Sequence, residues 1–178
     1  MNEDRFEKMR NDINFWISNI DSKVSFALAF VGIIIGFILT SENVNHTVQN
    51  YIDYFKLNTF NYWQVIHFII YMVSLISLVV SMILFFLSLK ARIKEQNNHT
   101  TDDTHIFWGT IAKHDSFKDF KDTYNSIIDR NEADDFLSQV YINSKIAQKK
   151  SRYYNNGLKF LLIGTLSFII FELLIFLF

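Results

Sequence analysis

Gln139, Asn143, Ile146 and Lys150 recur at steps of four, three and four in the stretch QVYINSKIAQKK, the spacing that places side chains on one stripe of an α-helix. Two amides and an ammonium make a hydrogen-bonding surface rather than a reaction centre. Such a stripe either bridges neighbouring helices, as buried amides do when their bonds are met, or meets a polar ligand, and spacing alone leaves both readings open. Phe136, Val140 and Ala147 form a second stripe on the same helix, so two of its faces are engaged. The other chemically marked residue is Glu172, the single acid of the apolar segment 160–178. An acid in a membrane span costs about 2.5–3.5 kcal/mol on insertion scales and faces protein or water. Counted inward from the segment ends, His67 comes to similar depth and can pair with it; the alternative is a carboxylate close enough to the outer boundary to reach headgroups. There is no nucleophile elbow, phosphate loop or HExxH, and His99, His105 and His114 lack the paired spacing or acid partners of a metal site. No catalytic residue and no metal site is therefore expected, and the chain does not read as an enzyme.

The elements that must position these residues follow from composition. Of 178 residues, 50% are hydrophobic and 20% charged, a split that requires two environments. Seventeen Lys plus Arg against eighteen Asp plus Glu leave no basic surplus, which sets nucleic acid aside as a partner. Without cysteine there is no disulfide framework or thiolate chemistry. Without proline, nothing interrupts long helices. A bilayer core about 30 Å thick needs about 20 apolar residues in a helix, and three segments supply them: 24–40, 63–89 and 160–178. Tyr62 and Trp63 sit as an interfacial belt at one end of the second. A cleaved signal peptide is not expected, because MNEDRFEKMRNDINFW is charged and no short apolar region with a cleavage site follows.

Lys and Arg set the orientation. Residues 1–23 hold four, the connection 41–62 holds only Lys56, and the segment from Lys90 to Gly157 holds eleven. The N-terminus and the region 90–159 are expected in the cytoplasm, the connection 41–62 and the C-terminus outside. Within residues 1–23, Phe6, Met9, Ile13, Trp16, Ile20 and Val24 recur at three and four, predicting an amphipathic helix that runs unbroken into the first span, about 37 residues in all. DSFKDFKDTYNSIIDR, residues 115–130, predicts a short helix with an Asp or Ser cap. From Glu132 a helix with acids in its first turn is predicted to continue into the third span. The expected fold is all-α: three transmembrane helices and a cytoplasmic helical bundle formed partly by their extensions, with EQNNHTTDD at 95–103 as the flexible joint.

Two further patterns mark the spans. Ser25, Ala29, Gly32, Gly36 and Thr40 form one small-residue stripe, suited to close packing and to association of several copies. His67, Ser74, Ser81 and Ser88 fall at sevens, with Tyr71 and Ser77 near that face, suiting a packed seam or a wetted lining.

The order ISNIDSKVSFALAFVGIIIG, HIFWGTIA, QVYINSKIAQKKSRYYNNGLKFLLIG resembles the transmembrane effectors of Pycsar, a bacterial antiphage system in which a companion cyclase makes a cyclic pyrimidine mononucleotide. The similarity is carried by Asp21 and Lys23 before the first span, Gly109 after an aromatic pair, and Gln139, Asn143, Ser144 and Lys150 in the last helix. It implies an inner-membrane effector that responds to cyclic CMP or cyclic UMP and impairs the membrane, halting growth. Such a ligand brings one negative charge, a ribose hydroxyl and a base edge, so its pocket needs a cation together with amides or hydroxyls. On that reading Lys23, Lys145, Lys149, Lys150 and Arg152 are candidates for the phosphate, Gln139 and Asn143 for the base edge, and Trp108 or Tyr141 for stacking. The competing assignments are juxtamembrane cations facing headgroups for Lys149, Lys150 and Arg152, a membrane boundary for Asp21 and Lys23, and core aromatics for Trp108 and Tyr141. The alternative function is a small oligomeric channel or scaffold subunit with no nucleotide ligand; an intramembrane enzyme stands far behind. Three short spans cannot enclose an aqueous path alone, so a homo-oligomer in contact with lipid is expected.

Overall fold

The computed structural model describes residues 3–57, 61–91, 111–112, 114–127 and 132–177. Its elements are helices α1 (Glu3–Thr40), α2 (Glu42–Leu57), α3 (Tyr62–Leu89), α4 (Phe117–Ile127) and α5 (Glu132–Leu177), with no strand among the described residues. The all-α expectation holds, and α1 and α5 are the predicted unbroken helices, 38 and 46 residues long. Within a bilayer only intrachain hydrogen bonds can satisfy the backbone, which is why a proline-free apolar run has no alternative to helix.

Local chemistry fixes the ends. Asn61 begins α3 with a reciprocal capping box, its side chain accepting from the Gln64 N–H while Gln64 Oε1 accepts the Asn61 N–H at 3.0 Å; Asn61 Oδ1 also accepts from the Tyr62 N–H at 2.8 Å. Ser116 rather than Asp115 caps α4, its hydroxyl accepting from the Asp119 N–H at 3.1 Å. The connection 41–62, expected only as a short link, contains the sixteen-residue α2. Ser41 separates α2 from α1, its hydroxyl accepting from the Val44 N–H at 3.4 Å.

The chain divides into two compact units. Unit one comprises Met1–Ile20 and Ala91–Lys150; unit two comprises Asp21–Lys90 and Ser151–Phe178. Both α1 and α5 contribute to each. Among the described residues three helices are long and apolar enough to cross a membrane: within Glu7–Thr40, Tyr62–Leu89 and Leu137–Ile175.

In unit two the core is a set of heptad stripes. Val24, Val31 and Ile38 of α1 are buried with Leu78 and Phe85 of α3 and Leu161, Phe168 and Phe171 of α5. Phe26, Phe30, Ile33, Ile69, Ile76 and Leu162 point outward, as they should where the surrounding solvent is hydrocarbon. The small stripe of Ser25, Ala29, Gly32, Gly36 and Thr40 lies on the outer, exposed face. A Cβ built on Gly32 or Gly36 meets nothing within 4 Å. Within the chain, then, the first helix does not pack through its small residues. Its β-branched stripe fills the core instead, because larger side chains bury more area against α3 and α5.

Candidate functional site

The polar stripe of α5 belongs to unit one, and its members differ sharply in burial. Gln139 is 7% and Lys150 6% exposed, and both have interaction partners within the fold. A lysine so deeply buried does not face headgroups, so the juxtamembrane reading is corrected at this position, while Lys149 and Arg152 remain exposed. Asn143 is half-buried and donates its amide to Asn14 Oδ1 of α1 at 3.3 Å. Asn14 was not singled out by sequence. Its signal was there in retrospect, a polar residue beside Ile13 and Ile17 on the helix that must pack against α5. Ser144 spends its hydroxyl on its own helix, donating to the Val140 carbonyl at 2.7 Å. Tyr141 is not a core aromatic: it is exposed, with the Lys145 ammonium 5.4 Å from its ring centroid. Unit one therefore brings Asn143 of α5 to Asn14 of α1, with Gln139 and Lys150 buried along the same stripe of α5. Asp21 and Lys23 belong to unit two, where the Asp21 carbonyl accepts from the Ser25 hydroxyl at 2.9 Å. Trp108, Gly109, His99 and His105 lie outside the described residues. His114, which sequence left without an acid partner, has one: its Nδ1 lies 2.9 Å from Asp119 Oδ2, five residues on and across the turn that Ser116 caps.

Unit two resolves the second pattern. Ser74 Oγ donates to the Gly164 carbonyl at 3.0 Å and Ser81 Oγ to the Gly157 carbonyl at 2.9 Å. These residues step by seven in opposite directions, so α3 and α5 are antiparallel across a packed seam in which Ser74 and Ser81 are buried. Phe85 packs on Gly157 and Leu78 on Gly164, each so close that a Cβ there would stand 2.6 Å and 2.8 Å from them. The next heptad position on α5 is Phe171, flanked by the rings of His67 at 6.2 Å and Tyr71 at 5.0 Å. Glycine at 157 and 164 thus lets Phe85 and Leu78 seat against the α5 backbone, and at the α2 end an aromatic takes the corresponding position. His67 meets Phe171 there, while Glu172 Oε1 is buried without a hydrogen-bond partner among the described residues. At the same end Tyr51 of α2 packs edge-on against Phe68 at 5.6 Å. Burial, with the neighbouring Tyr54 phenol adding to it, pushes the Tyr51 hydroxyl up to about 12.

Described residues that are helical almost throughout, with three helices long and apolar enough to cross a membrane, define a multi-pass membrane protein. The chain belongs to the Pycsar effector family: the family described as Pycsar effector protein domain, PycTM, matches residues 5–177. It is 36% identical over 176 residues to the Pycsar effector protein GmPycTM of Gulbenkiania mobilis, an alignment covering 89% of this chain and 85% of that protein. No solved structure matches it. The resemblance first carried by three short motifs therefore extends over almost the whole chain, and its role is that of an effector in antiphage defence.

Proposed function

We propose that this effector senses a cyclic pyrimidine mononucleotide, cyclic CMP or cyclic UMP, made by a companion cyclase, and answers by impairing the inner membrane as a homo-oligomer. The observation that carries the reading is the Asn14–Asn143 pair, an interhelical amide bond that leaves a donor on one residue and an acceptor on the other turned to solvent. A side-chain amide can present either edge, which suits the mixed donors and acceptors of a pyrimidine. Tyr141 and Lys145, two residues either side of Asn143, fall on the opposite face of α5, so the base edge is read by the asparagine pair and not by the tyrosine ring. A ligand that prefers one spacing of α1 and α5 shifts the population toward it, and the same two helices continue into the membrane unit without a break. The N-terminus lies in the cytoplasm, where the nucleotide is made, and the C-terminus outside, following the Lys and Arg asymmetry.

Calorimetric titration of the purified full-length protein with cyclic CMP and cyclic UMP tests this. Asn14→Ala and Asn143→Ala are expected to weaken binding by about tenfold or more, the value of one or two lost hydrogen bonds. Parental affinity in both variants would return the stripe to a helix-bridging role. A second reading, an oligomeric channel or scaffold subunit with no nucleotide ligand, draws on the burial of Gln139 and Lys150, which already have partners in the fold. It predicts no heat with either nucleotide.

A further inference from the structure

Two sets of buried hydroxyl and carboxyl groups stand apart in unit two. Ser74 and Ser81 are spent on glycine carbonyls across the α3–α5 seam. Tyr51 Oη, Thr165 Oγ1 and Glu172 Oε1 are also shut away from solvent, but have no hydrogen-bond partner among the described residues. A buried polar atom left unpaired is costly, and native structures leave few. Three in one small helical unit point to something the chain does not itself supply.

Their placement is not scattered. Thr165 and Glu172 stand seven residues apart on α5, about 10.5 Å along its axis, on a stripe one residue round from the Gly157–Gly164–Phe171 seam. Between them Phe168 meets Phe37 of α1 edge-on at 6.2 Å, so this stripe turns toward α1 and not into the serine seam. Tyr51 lies at the same end as Glu172: its ring rests on Phe68, the residue after His67, and His67 rests on Phe171, the residue before Glu172. The three groups are a phenol, a carboxyl and a hydroxyl, oxygen ligands throughout. Segments 24–40, 63–89 and 160–178 contain no Lys or Arg to answer the carboxyl. Oxygen donors with one acid and no basic partner are what a hard cation takes, and ionisable residues inside spans mark ion pathways.

We propose that Glu172, with Tyr51 at the same end, and Thr165, about 10.5 Å farther along α5, mark two successive stations for a monovalent cation inside unit two, so that the membrane failure proposed above is a cation leak. The leak rests on the proposed function; the site does not. Two measurements on the full-length protein keep them apart. First, the thermal midpoint in detergent is compared in potassium chloride, sodium chloride and N-methylglucamine chloride at equal ionic strength, without nucleotide. An alkali cation is expected to raise it by about 2–4 °C over the bulky cation, with the difference lost in Glu172→Gln and reduced in Thr165→Val. Equal midpoints in the three salts for the parent protein would overturn the site. Second, planar bilayers with a potassium chloride gradient are given cyclic CMP or cyclic UMP. The reversal potential is expected near the potassium equilibrium value, and Glu172→Gln is expected to cut the preference for potassium over chloride by about tenfold. A parent current that carries chloride as readily as potassium would overturn the cation leak while leaving nucleotide-triggered failure standing. No current despite measured nucleotide binding would overturn the leak and the proposed membrane action together, and the salt comparison would still decide the site.

Discussion

The four helical glycines make opposed predictions, and Gly164→Ala is the sharpest. A Cβ at this position would lie 2.8 Å from Leu78 Cγ, 3.0 Å from its Cδ2 and 3.1 Å from its backbone nitrogen. Ordinary carbon contacts begin near 3.5 Å, so several tenths of an ångström must be found. The leucine side chain can turn aside, but the backbone nitrogen moves only if α3 and α5 separate. Separation stretches the 3.0 Å bond from Ser74 to the Gly164 carbonyl, whose carbonyl belongs to the substituted residue itself. Overpacking of this kind costs about 1–3 kcal/mol, and a membrane interhelical hydrogen bond adds about 0.6 kcal/mol. Against them stands a helix-propensity gain of up to about 1 kcal/mol for alanine over glycine. The net loss is about 1–2 kcal/mol, a fall of about 2–8 °C in thermal midpoint for a chain of this size. Gly32→Ala and Gly36→Ala carry only the propensity gain, since nothing lies within 4 Å of either added Cβ. Purified proteins in the same detergent, melted under tryptophan fluorescence, give the comparison. An unchanged or raised midpoint for Gly164→Ala would refute the close approach of α3 and α5, and a lowered midpoint for Gly32→Ala would refute the outward placement of the small stripe.

Gly32→Leu and Gly36→Leu are expected to abolish toxicity in cells carrying the cyclase while leaving nucleotide binding and the monomer's midpoint intact; full dye entry with both variants would refute association through that face. Ser74→Ala and Ser81→Ala should each lower stability by about 0.6 kcal/mol and combine additively, as read from unfolding midpoints. Tyr51 should not ionise at its ordinary 10.0 but near 12, seen as a late phenolate absorbance step missing from Tyr51→Phe. Between those values the folded state holds a proton that the unfolded chain has released, so stability is complete below pH 10 and declines as pH rises toward 12. Tyr51→Phe should flatten that decline. A periplasm-active reporter at the C-terminus is expected to work, and activity only from a cytoplasm-dependent reporter there would reverse the orientation.

The amino-acid sequence by itself determined the helices that matter most. Chain length in apolar residues, the absence of proline and the unbroken three-and-four spacing from Met9 to Val24 were enough to set α1, α3 and α5 close to their observed limits, since a bilayer admits no other backbone solution. The helix α2 was not read from sequence, although Val44, Val48 and Tyr51 recur at four and three; the mixture of asparagine and β-branched residues around them hid it. What sequence left open was which face of each helix meets which neighbour. The small stripe of α1 and the glycine pair of α5 look alike as residue types, yet Gly32 and Gly36 are open while Gly157 and Gly164 are closed against Phe85 and Leu78. Only tertiary structure chose between them, because close approach depends on the shape of the opposing surface. Likewise Asn143 found Asn14, 129 residues away in sequence, because α5 runs parallel to α1, the two meeting again at Phe37 and Phe168. Periodicity records which side chains share a face of one helix; it holds no record of the partner, and the energy of a packed contact or a hydrogen bond belongs to both sides.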